Sequence, residues 1–186
     1  MATIHVLDET TINKIAAGEV VERPASVIKE LIENSIDASA TNIEVEIGDG
    51  GVAYMRITDN GIGMTEEDAR LAILRHATSK IQHVEDLFDI ASLGFRGEAL
   101  ASIASVSHFS LTTRKADSDL GTRITVDGGT FTDCIPYGAA PGTTIEIRDL
   151  FYNTPARRKF LKTERTESSK IQDIVGKLAL KIGRAS

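Results

Sequence analysis

The sequence predicts an α+β protein, a two-layer sandwich with helices on one face of a mixed, mainly antiparallel sheet. Helical stretches precede and interrupt a run of short strands. Ile43, Val45 and Ile47 alternate with polar residues, which is typical of a strand with one buried face. Glycine-bearing turns separate successive strands, so most neighbouring strands should pair as antiparallel hairpins.

The predicted helices are recognised by their start signals and apolar periods. Asp8 can cap the first helix, and Pro24 stands where the first helical residue tolerates proline. Thr65 followed by Asp68 resembles a capping box. The predicted helices span residues 8–17, 24–38, 65–76, 98–104 and 164–181.

The predicted strands fall into two groups. Asp49, Gly50 and Gly51 form the turn of a first hairpin. Residues 76–97, which separate the groups, have no sustained hydrophobic period, so we expect a long functional loop with one short helix. The predicted strands span residues 43–47, 52–58, 107–114, 121–127, 130–135 and 143–149.

Length and composition indicate a soluble globular protein. A chain of 186 residues with 41% hydrophobic and 26% charged residues suits one domain, with the start of a following region at its C-terminal end. We find no apolar run long enough to span a membrane and no secretion signal. Cys134 is the only cysteine, which excludes an internal disulfide and a cysteine metal cluster. We therefore expect a cytoplasmic protein.

The net charge of −6 conceals an asymmetry along the chain. Residues 148–186 contain 10 basic and 4 acidic residues, so the remainder contains 11 of the 21 basic and 23 of the 27 acidic residues. The basic end, densest at Arg157, Arg158 and Lys159, could attract phosphate. A solvated helix face explains the same charges, and charge alone favours that explanation.

The helix at 24–38 contains a possible catalytic group. At 100° per residue, Glu30, Asn34 and Asp37 lie within about 60° of one another at the edge of the polar half. A carboxylate can take a proton from water, and an amide oxygen is a hard ligand suited to Mg²⁺. An ordinary exposed polar face is the alternative, and this helix alone favours it.

Asp59 and the glycines that follow it suggest a base-binding turn. An acceptor-only carboxylate at a strand end can receive an adenine amino group, and Gly61 and Gly63 allow close approach of the backbone. A plain turn is an equally good explanation, since Asp, Asn and Gly are turn residues.

Two further glycine-bearing segments point to phosphate or nucleotide binding. Gly94 to Gly97 lies directly before a predicted helix, which exposes backbone N–H groups at its positive end. Gly142 and Thr143 open a strand. A simple loop and a β-branched strand start are the alternatives. The chain contains no P-loop motif and no dinucleotide-binding motif after a strand, so a nucleotide must be bound by another scheme.

Together these blocks resemble the gyrase, heat-shock chaperone, histidine kinase and MutL superfamily of ATPases. Its signature is E-x-x-x-N on a helix, then D-x-G-x-G, a glycine-bearing lid and a Gly-Thr block. The chain supplies these in the same order at Glu30 and Asn34, Asp59 to Gly63, Gly94 to Gly97, and Gly142-Thr143. The resemblance implies the Bergerat-type ATP-binding fold.

The resemblance is closest to MutL-type DNA mismatch-repair proteins and covers about residues 4–182. One departure is Ser39, where that family usually has glycine, and it leaves the candidate site untouched. Residues 183–186 match nothing in the family pattern and are interpreted as a possible cloning scar. The strings that carry the resemblance lie at residues 13–24, 33–38, 75–80, 94–103 and 149–160.

The resemblance implies a role for each matching residue. Glu30 would be the catalytic base that activates water, and Asn34 would bind Mg²⁺. Asp59 would accept from the adenine amino group, with Gly61, Gly63 and Thr143 close by. The lid over the phosphates would consist of Thr78, Ser79, Lys80, Gly94, Phe95, Arg96, Gly97, Glu98, Ala99 and Leu100.

The resemblance also implies what the protein does. ATP binding and slow, Mg²⁺-dependent hydrolysis would close the lid, dimerise the protein and coordinate mismatch repair. The expected partners are other repair proteins, a second copy of the protein, and DNA bound weakly and non-specifically by Arg157, Arg158 and Lys159. No membrane partner is expected.

Two alternatives stay open. One is another member of the same superfamily, such as a gyrase-like or kinase-like protein. The other is a module that binds ATP and DNA without turnover, because the family's γ-phosphate lysine lies in a second domain that this chain barely begins. We therefore expect weak or no ATPase activity from this chain alone.

Overall fold

One six-stranded sheet forms the centre of the computed structural model, which describes residues 21–74 and 99–185. The strand order is β1-β2-β6-β3-β4-β5, and each pair of neighbours is antiparallel. The predicted α+β sandwich is confirmed, with no parallel pair among the described strands. The strands are β1 (Ile43–Gly48), β2 (Tyr54–Asp59), β3 (His108–Arg114), β4 (Gly121–Asp127), β5 (Thr130–Tyr137) and β6 (Gly142–Arg148).

Five helices accompany the sheet in the described part. Pro24 begins α1 as predicted, and the Thr65 hydroxyl caps α2 by accepting from the Asp68 N–H at 3.1 Å. The helix predicted at 8–17 lies outside the described residues. The helices are α1 (Pro24–Asp37), α2 (Glu66–Ile73), α3 (Ala99–Ser105), α4 (Pro155–Lys159) and α5 (Glu164–Ala185).

The hydrophobic core lies between the sheet and the helices. Ile28 and Leu31 of α1 are buried, as are Phe109 and Ile147 of the sheet. The opposite face is polar: Glu46 and Arg56 form an ion pair there, with both side chains about half exposed. One face of the sheet is therefore covered and the other is open. Within the described ranges, no helix combines the length and the apolar character needed to cross a membrane.

The placement of β6 determines where the candidate site forms. Although β6 is the last strand in sequence, it pairs with both β2 and β3. Asp59 of β2 and Thr113 of β3 are both register partners of Thr143. Three residues far apart in sequence therefore lie side by side at one end of the central strands.

Several element boundaries differ from those predicted. A single 3-10 turn, Asp49–Gly51, delays β2 until Tyr54, because Gly50 adopts a φ of 65° and Gly51 packs against Pro24. The helix predicted at 65–76 ends at Ile73, where Leu74 turns into extended backbone. The short helix α4 was not predicted, because five residues are too few to produce a hydrophobic period.

Candidate functional site

Asp59 is the centre of a polar network at the end of β2. Its Oδ2 accepts from the Ser35 hydroxyl of α1 at 2.7 Å. Its Oδ1 accepts from the backbone N–H groups of Gly61 at 2.8 Å and Thr143 at 3.2 Å. The carboxylate is thus oriented by a helix, its own turn and β6. Three of its roughly four acceptor positions are used, which leaves room for one more donor.

A second group of hydroxyls lies beside Asp59. The Thr113 and Thr143 hydroxyl oxygens are 2.9 Å apart. The Thr113 hydroxyl also contacts the Gly142 carbonyl at 3.0 Å and accepts from the Met64 N–H at 2.9 Å. Two strands, β3 and β6, and the turn after Asp59 therefore meet through one buried threonine.

The glycines of this region are required by close backbone approach. A Cβ at Gly63, where φ is 68°, would overlap the Arg114 carbonyl. A Cβ at Gly142, where φ is 123°, would overlap the Asp59 carbonyl. At Gly61 the same atom would lie 2.7 Å from the Ala38 carbonyl. Any side chain at these positions would push apart the elements that form the network.

Glu30 and Asn34 lie on α1, the helix that also supplies Ser35. Both side chains are half-buried. The Glu30 Oε2 atom is buried and has no hydrogen-bond partner among the described residues. An unsatisfied carboxylate oxygen is costly for a fold, so it marks a position that a ligand or water can use.

The predicted lid is described only at its C-terminal end, at Ala99 and Leu100. Thr78, Ser79, Lys80 and the segment from Gly94 to Glu98 lie outside the described residues. Ala99 and Leu100 begin α3, where Ala99 is buried and Leu100 is half-buried against the core. The structure therefore brings together Asp59, Gly61, Gly63 and Thr143, and places Glu30 and Asn34 on the adjoining helix.

A cleft of about 510 Å³ opens next to the network. It adjoins the network through Met64, whose N–H binds Thr113. Its volume lies within the range of small-molecule sites. The residues that line it are Met64, Thr65, Glu66, Lys115, Asp117, Ser118, Leu120, Gly121, Thr122 and Pro136.

Sequence reasoning missed Ser35 and Thr113. On the helical wheel Ser35 falls in the apolar half, and it is indeed buried, but its hydroxyl binds Asp59. Thr113 is one of several threonines in the strands, and its role depends on the register of β3 against β6. A serine on an apolar helix face was the one signal available from sequence, since buried hydroxyls are usually hydrogen-bonded.

The basic cluster on α4 divides into a structural and an exposed part. Arg157 is half-buried, and its guanidinium lies 3.4 Å from the Val21 carbonyl. Arg158 and Lys159 are exposed. Arg157 thus helps to fix the segment that leads into α1, whereas its two neighbours are available to an anion.

Comparison with known proteins agrees with this geometry. The family model described as histidine kinase-, DNA gyrase B-, and HSP90-like ATPase matches residues 22–130, which is more than half of the chain. The chain belongs to this ATPase family. The match includes Glu30, Asn34 and the turn after Asp59, while Thr143 lies beyond it.

Several curated relatives of this chain are MutL proteins. The DNA mismatch repair protein MutL of Thermoanaerobacter pseudethanolicus is 59% identical over 180 residues, which cover 97% of this chain and 29% of that protein. MutL of Xanthomonas axonopodis pv. citri is 56% identical over 177 residues, 95% of this chain and 28% of that protein. The resemblance to MutL-type proteins is confirmed, and the chain spans less than a third of these relatives' length.

Solved structures of the ATPase family match in fold as well as in sequence. The Aquifex aeolicus MutL ATPase domain complexed with ADP is 39% identical with a TM-score of 0.67, covering 87% of this chain and 56% of that one. The N-terminal domain of a DNA repair protein is 30% identical with a TM-score of 0.73, covering 88% and 47%.

Proposed function

We propose that this chain binds ATP and, as part of a longer protein, hydrolyses it slowly to coordinate DNA mismatch repair. The observation that carries the proposal is the acceptor network around Asp59, which a nucleotide base can complete. The ADP bound by the related MutL ATPase domain supports the same ligand class for this chain.

Adenine recognition is assigned to Asp59. Its carboxylate is an acceptor and is already oriented by Ser35, Gly61 and Thr143. The adenine amino group is a donor that fits the remaining acceptor position. Gly61 and Gly63 hold the turn close to Asp59, because a Cβ at either position would overlap the backbone of Ala38 or Arg114.

Glu30 is proposed as the general base. Its buried, unpartnered Oε2 can accept a proton from a water molecule placed against the γ-phosphate. Ser35, whose hydroxyl binds the Asp59 carboxylate, lies on the same helix. The helix α1 therefore holds the proposed base at a fixed position relative to the proposed adenine-binding carboxylate.

Mg²⁺ fits this site with Asn34 as its protein ligand. The described residues contain no group of three or more His, Cys, Asp or Glu side chains suited to a metal. A Mg²⁺ ion that keeps waters and takes phosphate oxygens needs only one or two protein ligands, and a half-buried amide oxygen one turn from Glu30 meets that need. When bound, the ion would neutralise phosphate charge.

The proposed lid closure involves residues outside the described part of the chain. Thr78, Ser79, Lys80 and residues 94–100 are proposed to form a lid that closes over the phosphates and promotes dimerisation. Closure would then change the affinity for DNA and for other repair proteins. Arg158 and Lys159 are exposed and are the cluster's best candidates for DNA contact. A cytoplasmic location fits these partners.

One experiment separates this function from that of a non-hydrolysing module. ATP and ADP binding by calorimetry is set beside steady-state phosphate release from the same sample of this chain and of the full-length protein. We expect nucleotide binding in both samples and turnover mainly in the full-length protein. If the chain binds neither nucleotide, the assignment of the Asp59 network is wrong.

A further inference from the structure

Thr113 is fully buried, with 1% of its surface exposed, and its hydroxyl has three polar neighbours. The Met64 N–H lies 2.9 Å from the oxygen, the Gly142 carbonyl 3.0 Å and the Thr143 hydroxyl 2.9 Å. A hydroxyl has one proton to donate and two acceptor positions. The three contacts therefore use its whole hydrogen-bonding capacity.

The direction of each bond follows from what its partner can do. A carbonyl oxygen cannot donate, so Thr113 gives its only proton to Gly142. A backbone N–H cannot accept, so Met64 occupies one acceptor position. The Thr143 hydroxyl must then donate its proton to Thr113, since Thr113 has none left to give.

This arrangement fixes what Thr143 can offer to a ligand. Because the Thr143 hydroxyl donates its proton to Thr113, its oxygen can only accept hydrogen bonds from other groups. Its own N–H lies against the Asp59 carboxylate, which is also an acceptor. A ligand that enters here therefore meets two neighbouring acceptors and no hydroxyl donor.

We propose that Thr113 is a positioning residue that makes the site select purines with a 6-amino group over purines with a 6-oxo group. The inference rests on the proposed binding of the base at Asp59 and Thr143. A 6-amino group can donate to both acceptors, whereas the oxygen of a 6-oxo group cannot donate and leaves at least one of them unpaired, because only the adjacent N1–H can donate. Sites built for a hydrogen-bond donor discriminate strongly against ligands that lack it.

The test compares ADP with inosine diphosphate by calorimetry on this chain; the two bases differ at the 6 position and in the proton that inosine carries on N1. In Thr113→Val the Thr143 hydroxyl loses its acceptor at position 113, so it can rotate and donate its hydrogen bond to a 6-oxo group. We expect the ratio of the affinity for ADP to that for inosine diphosphate to fall by roughly 5–10-fold. Thr113→Ser keeps the hydroxyl and should retain the parental preference. Thr112→Val, a half-buried neighbour on the opposite face, is the matched control.

The outcomes are separable. The proposal is overturned if Thr113→Val lowers the affinity for both nucleotides equally, or if Thr113→Ser does not keep the parental preference. Thr113 would then be a packing residue. A parent chain that binds no ADP would instead contradict the proposed function. If Thr113→Val does not fold, Thr143→Val carries the test: removing the acceptor itself must lower the ADP preference, and an unchanged preference overturns the proposal.

Discussion

Asp59 accepts three hydrogen bonds and keeps the capacity for a fourth, which makes it the most informative single residue to alter. Asp59→Asn preserves size but replaces one acceptor oxygen with an NH₂ donor, which would face the adenine amino group. We expect ADP affinity to fall by roughly 5–150-fold, the equivalent of about 1–3 kcal/mol. Calorimetry measures this directly, with the exposed Asp119→Asn as the control. Equal affinities in the two variants would remove Asp59 from the site.

Glu30 and Asn34 allow the proposed base to be separated from the proposed metal ligand. Glu30→Ala should leave ATP binding largely intact while turnover falls by on the order of 10²-fold or more. Asn34→Ala should weaken Mg²⁺-dependent ATP binding itself. Phosphate release and nucleotide affinity are measured with the full-length protein at several Mg²⁺ concentrations. One shared phenotype in the two variants would mean that these roles are wrongly divided.

The residues that sequence could predict are those whose chemistry follows from local spacing. Glu30 and Asn34 are one helical turn apart, and Asp59 stands beside its own glycine turn, so a short window contains the signal. Ser35 and Thr113 could not be assigned in this way. Their partners, Asp59 and Thr143, lie 24 and 30 residues away in sequence. The packing of α1 against β2 decides the first contact, and the register of β3 against β6 decides the second.

At the level of elements, the contact between β2 and β6 depends on the absence of a side chain at Gly142. Gly142→Ala would place a Cβ against the Asp59 carbonyl and force a residue with a side chain to adopt a φ of 123°. We expect a loss of unfolding free energy of about 1–3 kcal/mol or more, together with weaker ADP binding. Thermal and denaturant unfolding measure the first effect.

Gly138→Ala is the matched control for that substitution, because nothing lies within 4 Å of a Cβ built there. It should change stability by only a few tenths of a kcal/mol, as is usual for surface positions. If Gly142→Ala were as stable as Gly138→Ala and bound ADP equally well, the strand contact would not support the site.

The elements themselves were largely predictable because each has a strong period or a cap. The helix begun by Pro24 and the strands around Val45 and Ile124 were found within a few residues of their observed bounds. The short helix α4 was not predicted, and β5 extends to Tyr137, beyond its predicted end. Five helical residues show no period, and an exposed edge strand lacks the apolar alternation that marks a buried face.

At the scale of the whole molecule, acidic and basic residues are segregated along the chain. Lys159 is exposed on α4, and Lys177 is exposed on the separate helix α5. Lys159→Glu should weaken binding to all DNA sequences about equally and reduce its salt dependence, because phosphate contacts carry no sequence information. Fluorescence anisotropy over a series of low salt concentrations measures both.

Lys177→Glu makes the same change of charge on α5 and should have little effect on DNA binding. ADP affinity should be unchanged in both variants. Equal weakening by the two substitutions would mean that net charge, and not the surface of α4, governs DNA binding. A parental affinity that does not drop as salt is raised would show that phosphate contacts are not responsible.

The insertion of β6 between β2 and β3 sets the order in which the protein can acquire its structure during synthesis. Until Gly142–Arg148 has left the ribosome, the β1–β2 hairpin and the β3–β4–β5 meander have no strand to join them. The Asp59 network is equally incomplete, since Thr143 supplies one of its donors. At synthesis rates of roughly 5–20 residues per second, about 0.5–2 s pass between the synthesis of Tyr137 and that of Arg148, and until β6 is made the two sheets have open edges. Nucleotide binding at the Asp59 network can therefore begin only after β6 has been made, and it reports completion of this sheet.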